Sequence, residues 1–324
     1  MARRPTSARM RVVSGTEPLT RRPRRSVVTV GMFDGVHLGH RRLIATAVRM
    51  AKQARATSVV VTFDPDPQGV LNPSRVSPPI MPLDERLRLI KELGADMVWV
   101  IPFTKTFARI SAEQFVCEFL IDRLRACGIV VGETFAFGSD RRGTPQLLQT
   151  LGRRHHIDVA IVPSVRREGG PVSSSRIRRF IESADLASAQ RLLGRPVDLW
   201  GRVVRGEGRG RLLGFPTANV RLGCEPLLPR GVYRVWLESS RARFQGLLNL
   251  GVCPTFSNGT STLKCEVYLP GYCGNLYGRS VRIGVLSRIR GEQRFETPEA
   301  LIRQIHRDLA VSDLKPFGAP RISV

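Results

Sequence analysis

The sequence of 324 residues is poor in the residues that mark metal-dependent, disulfide-bonded or membrane-spanning proteins. It contains only five histidines, and none of its six cysteines forms a C-x-x-C pair. A zinc site of the usual spacing is therefore not expected. We expect the cysteines to be reduced thiols in a cytoplasmic protein. No segment approaches the roughly 18–20 consecutive apolar residues of a membrane span. The N-terminus also lacks the apolar core of a secretory signal, so no membrane partner is expected.

Lysine is scarce too, so nearly all of the formal net charge of +24 comes from arginine. A basic surface can bind nucleic acid, an anionic membrane or an anionic small substrate, and charge alone does not choose among them. Single-stranded nucleic-acid sites interleave aromatic side chains with basic ones, and this chain has only three tryptophans. Nucleic-acid binding is therefore kept only as an accessory alternative.

The chain is long enough for two domains. Residues 1–25 are rich in arginine and contain one acidic residue, Glu17, which we interpret as a disordered basic tail. Glycine and proline become frequent in the second half of the chain. The sequence predicts a first domain over 26–186, a second over 187–314 and a C-terminal tail over 315–324.

The first domain alternates apolar runs with amphipathic segments, which predicts a Rossmann-like, doubly wound parallel sheet. The predicted strands are 26–30, 58–63, 97–103, 128–133 and 158–163. The predicted helices are 38–55, 83–93, 111–126 and 144–154. In such sheets ligands bind outside the carboxyl ends of the strands, so the loops there are expected to carry the chemistry.

The second domain has short strand-like runs separated by turn residues, which predicts a small antiparallel β-barrel. Two short helices over about 174–194 precede it, and an amphipathic helix over about 298–309 follows it. The predicted barrel strands are 199–204, 231–237, 244–249, 263–269 and 280–289.

A motif rich in glycine and histidine, Gly31–His40, follows the first predicted strand. Its glycines allow a sharp turn and close approach of a phosphate. His37 and His40 are three residues apart at a helix start, where two imidazoles suit the charge that develops on a transferred phosphate. The predicted catalytic pair is His37 and His40. The predicted ATP contacts of this motif are Gly31, Phe33, Gly35 and Gly39.

This motif resembles the H-x-G-H signature of the nucleotidyltransferase superfamily, in the form found in bacterial bifunctional FAD synthetases. A second stretch, Val172–Arg178, resembles the S-S-T-x-I-R element of the same family. Serines at a helix start can cap it beside an anion, and Arg178 supplies a planar donor for phosphate oxygens. The resemblance implies a catalytic role for Arg178 and phosphate contacts for Ser173, Ser174 and Ser175.

Two residues depart from the family pattern. The family usually has histidine where this chain has Asp66, and asparagine or aspartate where it has Thr134. Both lie in loops expected to line the adenylyl-transfer site, and Asp66 would bring negative charge towards a polyphosphate. The flavin-pocket candidates are Asp66, Thr134 and Phe137.

A second motif, Gly201–Asn219, is dense in glycine and arginine and resembles the riboflavin kinase signature that ends in G-x-P-T-A-N. Glycine allows close backbone approach, and arginine matches phosphate geometry. The predicted phosphate contacts are Gly206, Arg211, Gly214 and Pro216. Thr217 and Asn219 offer neutral oxygens to a nucleotide-bound Mg²⁺. Further matches are Gly231–Tyr233, Asn249–Gly251 and Pro254–Phe256, with Cys253 in place of the usual arginine. The resemblance assigns Glu266 as the general base.

The resemblance covers about residues 26–310 and implies two reactions. Riboflavin and ATP give FMN, and then FMN and ATP give FAD and pyrophosphate. The alternative is a paralogue with a working kinase and a weakened or re-specialised adenylyl module, which Asp66 and Thr134 motivate.

Overall fold

The computed structural model describes residues 10–17, 19–75, 77–240, 242–253 and 262–314. The chain divides into two compact units. The N-terminal unit comprises Met1–Ser77 and Leu83–Ser173, and the C-terminal unit comprises Pro78–Pro82 and Ser174–Val324. The functional boundary near residue 187 stays a prediction.

The N-terminal unit is built on a six-stranded parallel sheet with strand order β1-β4-β3-β2-β5-β6, which confirms the predicted parallel architecture. Its inner strands are mostly apolar and buried because helices cover both faces of such a sheet. The strands are β1 (Arg11–Ser14), β2 (Ser26–Val30), β3 (Thr57–Asp64), β4 (Met97–Pro102), β5 (Ala126–Gly132) and β6 (Asp158–Val162). A short hairpin of β7 (Arg166–Arg167) and β8 (Gly170–Pro171) follows.

The helices of this unit follow the strands, as in other doubly wound folds. The α-helices are α1 (Leu38–Gln53), α2 (Pro67–Leu71), α3 (Leu83–Glu92), α4 (Ala112–Gln114) and α5 (Pro145–Arg154). A π-helical segment spans Phe115–Arg123, and single 3₁₀ turns span Asp34–Val36, Pro73–Arg75, Phe107–Arg109 and Ser139–Arg141. The rings of Trp99 and Phe119 stack within the main core, with their centroids 5.8 Å apart.

The interpretation of residues 1–25 as a disordered tail is wrong for much of the described part of that segment. Arg11–Ser14 forms β1 at the edge of the sheet, parallel to β4. The indole N–H of Trp99 donates to the carbonyl of Gly15 at 2.8 Å. Leu19 is only 6% exposed and belongs to the core. The sequence analysis did not predict this strand because the surrounding stretch is basic, contains prolines and has few apolar residues.

The helix predicted over 111–126 is shorter than expected and mostly of the π type. Ser111 caps its start by accepting the backbone N–H of Gln114 at 3.0 Å. Arg125 has a φ of 49°, a left-handed conformation that a helix cannot continue through. Residue 126 therefore already belongs to β5.

The C-terminal unit contains a closed, six-stranded antiparallel barrel, which confirms the predicted barrel and its C-terminal helix. Around the barrel the strand order is β10-β13-β12-β11-β14-β9. The strands are β9 (Val197–Val204), β10 (Thr217–Leu222), β11 (Gly231–Ser239), β12 (Ala242–Cys253), β13 (Thr262–Tyr268) and β14 (Ser280–Gly291). The helices are α6 (Ser174–Glu182), α7 (Leu186–Leu193), α8 (Arg209–Leu212) and α9 (Pro298–Val311).

The sequence predicted five barrel strands, and the sixth is β10. Its residues are the end of the glycine-rich motif, which was interpreted as a phosphate loop rather than as a strand. In the folded chain β10 pairs with β9 on one side and with β13 on the other, and so closes the barrel.

Candidate active sites

The two histidines of the first motif are brought together at the carboxyl end of β2. His37 caps α1, and its Nδ1 accepts the backbone N–H of His40 at 3.3 Å. The two imidazole rings stack with their centroids 3.5 Å apart. Both side chains therefore lie at the N-terminus of α1, where the helix dipole favours an anion.

Two glycines of the motif suit this geometry. Gly35 has a φ of 79°, in the left-handed region that glycine adopts without strain. A Cβ at Gly39 would lie 3.2 Å from Cε1 of His37, so a larger residue would press on the imidazole. Gly31 donates its backbone N–H to the carbonyl of Val61, and Phe33 packs its ring edge against His40 at 5.2 Å.

Burial lowers the pKa of His40 well below its usual value, and the charges of His37 and Arg86 lower it further. His40 is therefore neutral near pH 7. Its buried Nδ1 has no hydrogen-bond partner within the part of the chain that the structure describes. A neutral imidazole donates a single N–H, which suits stabilisation of a phosphate oxygen without a fixed positive charge.

Arg86 of α3 was not predicted as a site residue. It is buried, and its guanidinium donates to the Met32 carbonyl inside the histidine motif at 2.7 Å. The sequence did carry a signal, because Arg86 and Ile90 are four residues apart on the buried side of an amphipathic helix. A charged residue on such a face requires partners within the fold.

A cavity of about 650 Å³ opens at the carboxyl ends of β2 and β3. Its walls are mainly apolar, and the rings of Phe135 and Phe137 stack with their centroids 5.2 Å apart. The phenylalanines that line it are Phe63, Phe103, Phe107, Phe115, Phe135 and Phe137. Sequence analysis had selected only Phe137, because the others are spread over β3, the loop and 3₁₀ turn after β4, the π-helical segment and the loop after β5.

The other two flavin-pocket candidates do not line this cavity among the residues that the structure describes. Asp66 caps α2, and its Oδ1 accepts the backbone N–H of Gln68 at 2.8 Å. Thr134 is exposed. Their neighbours Pro67 and Phe135 do line the cavity.

The serine-rich element lies where α6 begins, with Ser174 as the first helical residue. Nε of Arg178 donates to the carbonyl of Pro78 at 3.3 Å within the C-terminal unit. The assignments of Ser173, Ser174, Ser175 and Arg178 to phosphate binding and catalysis stay predictions.

In the barrel, Glu266 lies in a row of three polar residues. The antiparallel register pairs it with Asn219 on β10 and with Asn249 on β12. All three, together with Thr217, line a cavity of about 480 Å³. Strand pairing thus gathers into one site residues that are well separated along the chain.

The glycine-rich loop before β10 contacts this row closely. A Cβ at Gly206 would lie 2.2 Å from Nδ2 of Asn219, so the loop can approach only because residue 206 is glycine. Glu207 pairs with Lys264 at 3.3 Å and with Arg209 at 2.8 Å. The first of these ion pairs links the loop to β13.

A second cavity in the barrel, of about 280 Å³, is lined by Arg211 and Pro216 on one side and by residues 272–277 on the other. Gly214, with a φ of 85°, turns the chain between Arg211 and Pro216. Thr217 lines both this cavity and the larger one. The predicted element Pro254–Phe256 lies outside the described residues.

The two halves of the chain match two family models, FAD synthetase over residues 19–176 and riboflavin kinase over residues 193–313. The bifunctional riboflavin kinase/FMN adenylyltransferase of Pseudomonas fluorescens is 35% identical over 311 residues, which cover 96% of this chain and 99% of that protein. The enzyme of the same description from Escherichia coli strain K12 is 34% identical over 301 residues, which cover 92% of this chain and 96% of that protein. The chain belongs to the bifunctional riboflavin kinase/FMN adenylyltransferase family.

This finding confirms the resemblance derived from the motifs. The FAD synthetase match contains the histidine turn and the phenylalanine-lined cavity, and the riboflavin kinase match contains the barrel with Glu266. The same two-part fold occurs in a crystal structure from Streptococcus pneumoniae described as a macrolide-efflux protein. That structure has a TM-score of 0.80 and 33% identity, with 89% of this chain and 94% of that chain covered. Within the described ranges of the present chain, no helix has the length and apolar character needed to cross a membrane.

Proposed function

We propose that this member of the family phosphorylates riboflavin to FMN in its C-terminal unit and adenylylates FMN to FAD in its N-terminal unit, with ATP as the co-substrate of both steps. The observation that carries the proposal is a separate candidate site in each unit. One has a stacked histidine pair at a helix N-terminus, and the other has a carboxylate between two asparagines in a cavity.

In the kinase step, Glu266 accepts the proton of the terminal ribityl hydroxyl of riboflavin. The hydroxyl oxygen then bonds to the γ-phosphorus of ATP, and ADP leaves. A general base of this kind contributes about 10²–10⁴-fold in rate. Asn219 and Asn249, opposite Glu266 in the strand register, supply neutral amides that orient its carboxylate and the hydroxyl.

The donor atoms of this cavity fit Mg²⁺. Thr217, Asn219 and Glu266 offer hard oxygen atoms to one space, and Mg²⁺ prefers a few such ligands together with substrate phosphates and water. Among the described residues, no group of three or more His, Cys, Asp or Glu side chains could hold a metal ion by itself. When bound, the ion neutralises charge on the ATP phosphates. Thr217 and Asn219 are the residues that would hold it.

In the adenylyl-transfer step, a phosphate oxygen of FMN bonds to the α-phosphorus of ATP and pyrophosphate leaves. His37 and His40, at the start of α1, donate hydrogen bonds to the phosphate oxygens that gain charge. The apolar cavity lined by six phenylalanines suits the flat isoalloxazine ring, because aromatic walls favour stacked or edge-on contacts with a ring. Phe137 is the wall residue that the sequence also selected.

The cap formed by Asp66 favours full adenylyl transfer over the weakened paralogue. The charge of Asp66 is stabilised by the first turn of α2, so it acts as a helix cap. Thr134 is exposed. Asp66→His and Thr134→Asn are therefore expected to leave the rate of FAD formation within about twofold of the wild type. A large gain in FAD formation would support the paralogue instead.

The decisive experiment incubates the purified chain with riboflavin, excess ATP and Mg²⁺ and resolves the flavins by chromatography over time. FMN followed by FAD is the expected result. His40→Asn should stop at FMN, and Glu266→Gln should form FAD only when FMN is supplied. FMN without FAD from the wild type would support the paralogue, and no phosphorylated flavin would overturn the proposal. The cytoplasmic location and the absence of a nucleic-acid partner stay predictions.

A further inference from the structure

Arg86 is a buried cation attached to the adenylyl-transfer motif. It is 4% exposed, on the inner side of α3. Its Nη1 donates to the Met32 carbonyl at 2.7 Å and lies 3.4 Å from both the Thr62 hydroxyl and the Phe63 carbonyl. These partners belong to the histidine motif and to β3. One side chain therefore joins α3, β3 and the turn.

The contact at Met32 lies immediately before the strained part of the turn. The next residue, Phe33, has a φ of 52° and is completely buried. Its ring contacts His40 edge-on at 5.2 Å. A bulky residue keeps such a conformation only when its surroundings hold it there. Arg86 therefore acts on His40 through Met32 and Phe33.

Arg86 is also the counter-charge of several carboxylates. Its Nη2 lies 3.8 Å from Oδ1 of Asp64. Burial lowers the pKa of Arg86, and the negative charges of Asp34, Asp64 and Asp66 oppose this shift. Without the guanidinium, the negative charges of these carboxylates near the carboxyl ends of β2 and β3 would lack this counter-charge, which would repel an incoming polyphosphate.

We propose that Arg86 is a positioning residue for adenylyl transfer, which holds the Met32 carbonyl and balances the carboxylates of Asp34, Asp64 and Asp66 around the turn. The proposal rests on the adenylyl transfer proposed above. It also explains how this chain tolerates Asp66 where the family pattern has histidine, because the added negative charge lies within reach of a buried cation.

The test compares Arg86→Gln and Arg86→Lys with the wild-type full chain, using ATP and supplied FMN. Arg86→Gln should lower kcat and raise KM for ATP, each by about 10-fold or more, because both the support of the turn and the charge are lost. Arg86→Lys retains a charge but not the planar fork of donors, so it should restore KM for ATP more than kcat.

Removing one carboxylate from the Arg86→Gln variant distinguishes the proposed role from a merely structural one. Asp66→Asn in the Arg86→Gln background removes part of the unbalanced charge, so it should lower KM for ATP towards the wild-type value while kcat stays low. Arg88→Gln is the matched control. Arg88 lies on the same helix and pairs with Glu85 and Glu92 towards solvent, so its loss should leave both constants unchanged.

The proposal is overturned if folded Arg86→Gln keeps wild-type kcat and KM, or if removing Asp66 gives no recovery of KM. Thermal unfolding shows which variants are folded. If Arg86→Gln does not fold, Arg86→Lys is the test: a KM for ATP restored more than kcat supports the proposal, and wild-type values of both overturn it. If the wild type forms FMN but no FAD, the proposed adenylyl transfer fails. The role of Arg86 is then decided by calorimetric titration of the wild type, Arg86→Gln and Arg88→Gln with ATP. Weaker binding only in Arg86→Gln supports it, and equal binding overturns it.

Discussion

Asn219 on β10 lies directly opposite Glu266 on β13 in the antiparallel register of the barrel. The two residues come from different motifs, and each has an ordinary position within its own strand. Their pairing creates a site because β10 enters the barrel between β9 and β13. The amide of Asn219 and the carboxylate of Glu266 then line the same cavity.

Glu266→Gln is expected to lower the kcat of riboflavin phosphorylation by about 10²–10⁴-fold, because glutamine cannot accept the ribityl proton. Adenylyl transfer from supplied FMN should be unchanged, since that site lies in the other unit. Steady-state rates with riboflavin and with FMN check both expectations. Glu238→Gln is the matched control, because Glu238 pairs with Arg243 elsewhere on the barrel. Equal loss in both variants would contradict the assignment of Glu266.

Gly206→Ala is expected to lower kcat/KM of the kinase by about 10–100-fold. The new methyl group would meet Nδ2 of Asn219 at 2.2 Å, so either the loop or the amide must move. Gly291→Ala provides the comparison, because its Cβ would lie 3.5 Å from the flexible end of Arg288. Kinase rates with varied ATP and riboflavin test the pair. Normal activity in Gly206→Ala would mean that the close approach of the loop is not needed.

His40 is expected to make the stability of the N-terminal unit depend on pH. Burial holds the pKa of His40 well below its usual value of 6.5, so the folded state resists protonation that the unfolded chain accepts. The unfolding free energy should therefore fall as pH drops below about 6.5, by at most about 1.4 kcal/mol per pH unit for one proton, and this term should be absent at higher pH. Denaturant unfolding between about pH 7.5 and 5.5 measures the slope.

His40→Asn should reduce this slope, because asparagine does not titrate. His155→Asn, at an exposed histidine of the same unit, should keep the slope of the wild type. If His40→Asn and the wild type lose stability in parallel as pH falls, another group causes the loss.

Leu19→Ala is expected to destabilise the N-terminal unit by about 2–5 kcal/mol, because Leu19 is buried in its main core. Val12→Ala on β1 should cost about 0.5 kcal/mol or less, since Val12 is 44% exposed. Denaturant unfolding of both variants gives the comparison. Wild-type stability in Leu19→Ala would mean that Leu19 does not contribute to this core. A deletion of residues 1–25 should likewise reduce adenylyl transfer through loss of stability.

The histidine turn could be predicted from the sequence because its parts are local. His37 and His40 are three residues apart, and a strand followed by glycines and a helix brings them together whatever the rest of the chain does. The barrel was predicted from its turn residues, but β10 was missed because its residues also form the end of the glycine-rich motif. The short strand β1 was missed because it has too few apolar residues to reveal a period.

The sequence by itself determined the two-part architecture, the histidine pair and the family, because all three depend on short motifs and on local apolar patterns. Only the tertiary structure decided that Arg86 supports the turn at Met32, that six phenylalanines form one cavity and that Asn219 and Asn249 flank Glu266. These groupings depend on which strands pair and how helices pack on them. Pairing of distant segments is set by burial of the whole core, which no local stretch of sequence contains.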